Sequence, residues 1–86
     1  MDDRRKQLRF RAWRRGFREL DLILGAFADR RLAAMSAAEL NSFAALLEAP
    51  DQDVYAWIVG QASPPEAHKT ELLAEIQAMS GDLGRG

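Results

Sequence analysis

Arg15, Gly16, Arg18 and Glu19 set three charges around one bare backbone position, at the junction of two segments that each read as an amphipathic helix. Glycine at such a junction lets the chain turn left-handed without a Cβ clash and lets a second surface approach the backbone. Arginine and glutamate beside it offer donors and acceptors of opposite charge. That chemistry is recognition through charge-assisted hydrogen bonds. A second polar cluster, Asp51-Gln52-Asp53, precedes Val54-Tyr55-Ala56-Trp57. Taken alone it reads as a helix start, with Asp51 as cap, Asp53 favouring the positive end of the helix and Trp57 anchoring the core.

Bond-making chemistry finds no comparable set of residues. The single histidine, His68, lies among Glu66, Lys69 and Glu71 and is expected to be a solvated residue near the start of a helix. There is no cysteine, and the serines fall at helix caps or in the last residues. The sequence therefore predicts neither a nucleophile–base pair nor a metal site, and no enzyme. Its only glycine-rich stretch, Gly81 to Gly86, follows no strand and opens no helix, so no phosphate cradle is expected. Neither flavin nor nucleotide is expected to be held by this chain.

Charge is distributed unevenly. The net charge is −1, yet residues 1–18 carry eight Lys or Arg against two acids, and residues 19–86 carry four against eleven. A chain of this kind pairs its own halves or meets a charged partner. Basic residues interleaved with Phe10, Trp13 and Phe17 leave three readings open: a solvated first helix with core aromatics, a protein-docking helix, or a nucleic-acid or anionic-membrane surface. Placing those cations on a helix spreads them around it, which weighs against a phosphate-tracking stripe.

At 86 residues and 48% hydrophobic, the sequence predicts one small domain held by packing alone. The fold class expected is all-α, a compact bundle of about five short helices. The first runs from about Asp3 to Arg14 with Leu8 and Ala12 inward, and Gly16 at its C′ position. In the second, Leu20, Ile23, Leu24 and Phe27 point inward, and Gly25 marks a close helix approach. Ser36-Ala37-Ala38-Glu39 is a capping box that opens the third helix, with Leu40, Phe43, Leu46 and Leu47 inward. The fourth, after Pro50, carries Val54, Tyr55, Trp57 and Ile58 and stops at Gly60. A second capping box, Ser63-Pro64-Pro65-Glu66, is expected to open the fifth, with Leu72, Leu73, Ile76 and Met79 inward. The domain is set at residues 1–79, and residues 80–86 are expected to form a flexible tail. Apolar runs are too short for a membrane helix, and the charged N-terminus resembles neither a signal nor a transit peptide. A cytoplasmic bacterial protein is the expectation.

In order and spacing, the segments resemble the FAD assembly (flavinylation) factors of succinate dehydrogenase, small helical proteins of bacteria and mitochondria. Arg15-Gly16-Phe17-Arg18-Glu19 is similar to their RGxxE motif, and Asp51-Gln52-Asp53-Val54-Tyr55-Ala56-Trp57 to their DxDLxxW motif, with valine at position 54. The resemblance covers about Arg9 to Ala78. Five residues alone recur by chance; two motifs at the expected separation in so short a chain are specific. The resemblance implies a chaperone and not an enzyme. It would bind the flavoprotein subunit of succinate dehydrogenase, and in some bacteria that of fumarate reductase. It would promote covalent attachment of FAD to a histidine of that client, and would bind no FAD and no nucleic acid itself. It also implies no membrane insertion, and a monomer is expected. On this basis Arg15, Gly16, Arg18, Glu19, Asp21, Asp51 and Asp53 are the expected partner-binding residues. Arg15 would bond client carbonyls or carboxylates, Gly16 would admit the client's backbone, and Glu19 would orient the client histidine. The alternatives are a nucleic-acid-binding module built on the basic first helix, and an adaptor unconnected with flavin.

Overall fold

Each predicted helix forms, and its apolar residues meet in one core. The computed structural model describes residues 2–85, with residues 83–85 described by backbone alone. The helices are α1 (Asp3–Trp13), α2 (Arg18–Arg31), α3 (Ala37–Glu48), α4 (Asp51–Val59) and α5 (Glu71–Arg85). Short 3-10 turns at Leu32–Ala34 and Glu66–His68 precede α3 and α5, and the described residues contain no strand.

Spacing of three and four residues places Leu20, Leu24 and Phe27 of α2 at the centre, where they are almost wholly buried. Phe27 meets Phe43 of α3 with ring centroids 5.8 Å apart, tilted by 54°. Leu8 and Ala12 of α1, Val54 and Ile58 of α4, and Leu72, Leu73, Ile76 and Met79 of α5 close the same core. α1 lies along α2 and touches α3, while α5 packs between α2 and α4. Gly25 is what lets α1 approach: a Cβ there would overlap the Trp13 ring. The close approach expected at this glycine is a tryptophan laid flat on α2.

Local signals set most helix ends. Asp2 caps α1 by accepting the Arg5 N–H at 2.8 Å, and this bond holds its carboxyl below the usual range. The Ser36 box is complete: Ser36 Oγ accepts from the Glu39 N–H at 3.2 Å, and Glu39 accepts from the Ser36 N–H at 2.9 Å. Gly60 ends α4 in the left-handed region, at φ +83°.

Three expected boundaries are corrected. Pro50, not Asp51, is the cap of α4, and Asp51 is the first helical residue with its carboxylate turned elsewhere. Ser63 opens no helix. Residues Glu66–His68 form only a 3-10 turn, and α5 starts after Thr70, whose hydroxyl accepts the Leu73 N–H at 3.1 Å. Finally, the backbone expected to leave the helix at Ser80 remains helical to Arg85, while Gly86 lies outside the described residues. His68 is corrected with its helix. It is half-buried in the 3-10 turn and stacks on Trp57 at 5.2 Å with 27° between the planes.

Candidate functional site

The seven residues expected to bind a partner divide into a half-buried base and an exposed rim. Arg14 caps α1, and two residues later Gly16 takes φ +85°, the left-handed turn that glycine was expected to supply, one position further on than predicted. A Cβ added at Gly16 would meet nothing within 4 Å, so the position faces open space. The strain of any other residue would be conformational and not steric.

Arg15 does not point outward. Its side chain is only 11% exposed, and its Nη2 and Nε lie 2.6 and 2.8 Å from one oxygen of Asp51, whose side chain is 29% exposed. Nη2 also donates to the Ala49 carbonyl at 3.2 Å. The guanidinium thus ties the α1–α2 corner to the α3–α4 turn. Asp21 reaches back from the first turn of α2 and accepts the Arg15 backbone N–H at 2.6 Å. That bond pairs an N–H, just beyond the end of α1, that donates to no backbone carbonyl. Phe17 packs on Tyr55 of α4, with centroids 4.8 Å apart. Arg15, Asp21 and Asp51, read from sequence as surface contacts, are therefore the corner's internal supports. Through Phe17–Tyr55 and Arg15–Asp51, the start of α4 packs beside the corner.

Gly16, Arg18 and Glu19 are exposed and form the rim, and Asp53, in the first turn of α4, is exposed as well. Leu22 joins them, 51% exposed and one turn on from Arg18 and Glu19. It escaped the sequence reading, although the signal was present. Two residues from Leu20, it lies on the side of α2 opposite the core stripe, a place where leucine has no packing role.

Four of the eight basic residues in 1–18 enter ion pairs, three of them with the acidic remainder. Arg9 pairs with Asp29 at 2.6 Å, Arg11 with Glu48 at 2.6 Å and Arg15 with Asp51. Arg5 pairs with Asp2 and donates to the Leu32 and Met35 carbonyls at 2.9 and 2.7 Å, clamping the turn after α2. Internal pairing of the two halves, one of the two outcomes expected from the charge asymmetry, accounts for Arg9, Arg11 and Arg15 and leaves Lys6, Arg14 and Arg18 outside any ion pair among the described residues. Elsewhere Arg31 bridges Glu39 of α3 and Glu75 of α5, and its hydrogen bond to Glu75 raises its pKa.

Fold and site define a small all-helical bundle whose polar face is a bared interhelical corner on a rigid base. Among the described residues, no group of three His, Asp or Glu is gathered as a metal site, and no helix is long and apolar enough to cross a membrane. Residues 6–80 match the family model described as the flavinator of succinate dehydrogenase, and the chain belongs to that family. It is 31% identical over 75 residues to the FAD assembly factor SdhE of Coxiella burnetii, covering 87% of this chain and 90% of that one. It is 37% identical over 73 residues to the SdhE of Acetobacter pasteurianus, covering 85% of this chain and 67% of that one. Identity is also 37% over 73 residues to the mitochondrial succinate dehydrogenase assembly factor 2 of Dictyostelium discoideum. The match covers 85% of this chain and 52% of the Dictyostelium protein, so the chain spans about half the length of that relative.

Proposed function

We propose that this chain is an assembly factor that binds the flavoprotein subunit of succinate dehydrogenase and promotes covalent attachment of FAD to a histidine of that subunit. Family membership supports the class of function. The observation that carries the mechanism is the corner: Gly16 bare at φ +85°, flanked by exposed Arg18 and Glu19, on a base locked by Arg15–Asp51. A backbone position with open space in front admits another backbone at hydrogen-bond distance. Arg18 and Glu19 supply charges of both signs to orient what arrives, and exposed Leu22 supplies apolar contact area beside them.

On this reading the chain is not an enzyme. FAD and the histidine it joins belong to the client, and the factor acts by holding the client in a competent conformation. The factor works as a monomer in the cytoplasm, and in bacteria that have fumarate reductase the flavoprotein subunit of that enzyme is served by the same corner. Nucleic-acid binding is not favoured, because Arg5, Arg9 and Arg11, three of the five cations of α1, are paired with the chain's own carboxylates.

The test is reconstitution. The apo-flavoprotein subunit and FAD are incubated with and without the chain, denatured, and assayed for flavin fluorescence that stays with the polypeptide. The expected result is fluorescence that rises with the chain present. Equal fluorescence in both arms would refute the proposal.

A further inference from the structure

The outward side of α1 is left over once the pairings above are accounted for. Arg4 is bonded to Asn41, Arg9 to Asp29 and Arg11 to Glu48, along the two edges where α1 meets its neighbours. Lys6, Phe10 and Arg14, spaced four apart, fall on the remaining face, and among the described residues neither Lys6 nor Arg14 enters an ion pair. Phe10 is 60% exposed, the most exposed large apolar side chain described. It lies in an open, mostly apolar groove of about 390 Å³ with Lys6, Gln7 and Arg11. The Arg14 guanidinium sits 4.4 Å from the ring centroid.

A single exposed phenylalanine needs no explanation. One flanked by two uncompensated cations, in a groove, next to the corner, is different. Lys6 and Arg14 are about 12 Å apart along the helix at 1.5 Å per residue, bracketing the ring. Arg14 directly precedes the Arg15-Gly16 turn, so the stripe ends beside the exposed rim. We propose that Lys6, Phe10 and Arg14 form a second docking surface, which takes an acidic segment of the flavoprotein client that carries an apolar side chain. The apolar side chain fills the groove against Phe10, and carboxylates on either side reach Lys6 and the free edge of Arg14.

Charge decides between this occupant and a nucleic acid. Two free cations neutralise two phosphates, a salt slope of only about −2. Arg14 also covers one face of the ring that a base would need for stacking. A short acidic segment with one apolar side chain needs only these two cations and the open edge of the ring.

The proposal rests on the assembly-factor reading, so its test separates the two. Affinity for the apo-flavoprotein subunit is measured calorimetrically for the native chain, Phe10→Ser, the double variant Lys6→Glu/Arg14→Glu, and Gly16→Arg. The substituted α1 side chains lie outside the core, so helicity by circular dichroism is expected to be unchanged. Phe10→Ser should weaken binding by about tenfold or more, as loss of an interface anchor does. The double variant should weaken it further and lose most of its salt dependence. If Gly16→Arg abolishes binding while the two α1 variants bind normally, the second surface is refuted and the assembly-factor reading stands. If the native chain does not bind the subunit, both fall. Dimerisation of the native chain that Phe10→Ser abolishes would make the stripe a self-contact. Binding to oligonucleotides or anionic vesicles that the double variant loses, with client affinity unchanged, would assign it to that partner. Either result overturns the proposal.

Discussion

Replacing Arg15 by alanine should unfold the corner before it touches any partner. In the structure two guanidinium nitrogens converge on one Asp51 oxygen at 2.6 and 2.8 Å, and one of them also reaches the Ala49 carbonyl at 3.2 Å. An exposed ion pair is worth about 0–1 kcal/mol, whereas breaking a fully buried one costs about 3–5 kcal/mol. With side chains 11% and 29% exposed, this pair lies between those limits, and water can partly re-solvate Asp51 once the arginine is gone. A loss of about 2 kcal/mol is expected, in line with charged hydrogen bonds generally. For an 86-residue chain the unfolding entropy makes that a fall in Tm of about 10 °C. Thermal and urea unfolding followed by circular dichroism measure it, and Asp51→Ala with the double variant completes a cycle. The two single losses should overlap, leaving a coupling energy of about 1–2 kcal/mol. Arg15→Lys should not restore stability, because one ammonium cannot span both the carboxylate and the carbonyl. Had Arg15 been a client-facing cation, Arg15→Ala would cost no more than about 0.5 kcal/mol. A Tm shift under about 3 °C, or strict additivity in the cycle, would refute the internal clamp.

Gly25→Ala should destabilise by about 1 kcal/mol or more despite alanine's better helix propensity, since the new Cβ overlaps Trp13 and overpacking outweighs the gain; an unchanged or raised urea midpoint would contradict this. Acid should loosen the start of α3. The Ser36 N–H, and then Arg31, hold the Glu39 carboxyl below its ordinary value of 4.5, so its stabilisation is complete above that pH and is lost as pH falls through the lowered value. Glu39→Gln should therefore flatten Tm against pH below about 4.5; parallel curves for the two proteins would refute the linkage. Glu19→Ala, which truncates an exposed side chain, should cost within about 0.5 kcal/mol, and Gly16→Arg about 1 kcal/mol from the left-handed turn. Both should remain helical by circular dichroism yet fail to restore covalent flavin on the client. Full rescue by both would leave the corner a mere helix junction.

The helices themselves were legible because the signals that specify them are local. Spacing of three and four residues in Leu20, Ile23, Leu24 and Phe27, or in Leu72, Leu73, Ile76 and Met79, defines a buried stripe with no knowledge of what covers it. The Ser36–Glu39 box and the left-handed glycines at 16 and 60 act within one turn. The failures came where two local signals competed. Ser63-Pro64-Pro65-Glu66 and Thr70 both offered a start for α5, and the start that places Leu72 and Leu73 in the core prevailed. Glycines past Ser80 argued against helix, yet once the buried stripe nucleates α5, each further residue extends it at small cost.

The site divides along the same line. Sequence alone located the corner and its glycine, because these lie within a few residues of one another, whereas Asp51 and Asp53 were joined to it only through the family resemblance. It could not say which charges face out. Arg15 meets Asp51 across 36 residues of chain, and Arg11 meets Glu48 across 37. Helical periodicity relates a residue only to its neighbours within one or two turns. Whether a guanidinium is spent on the protein's own carboxylates or left for a partner depends on how the helices pack. Tertiary structure therefore moved Arg15, Asp21 and Asp51 inward, kept Gly16, Arg18, Glu19 and Asp53 at the surface, and brought Leu22 to join them.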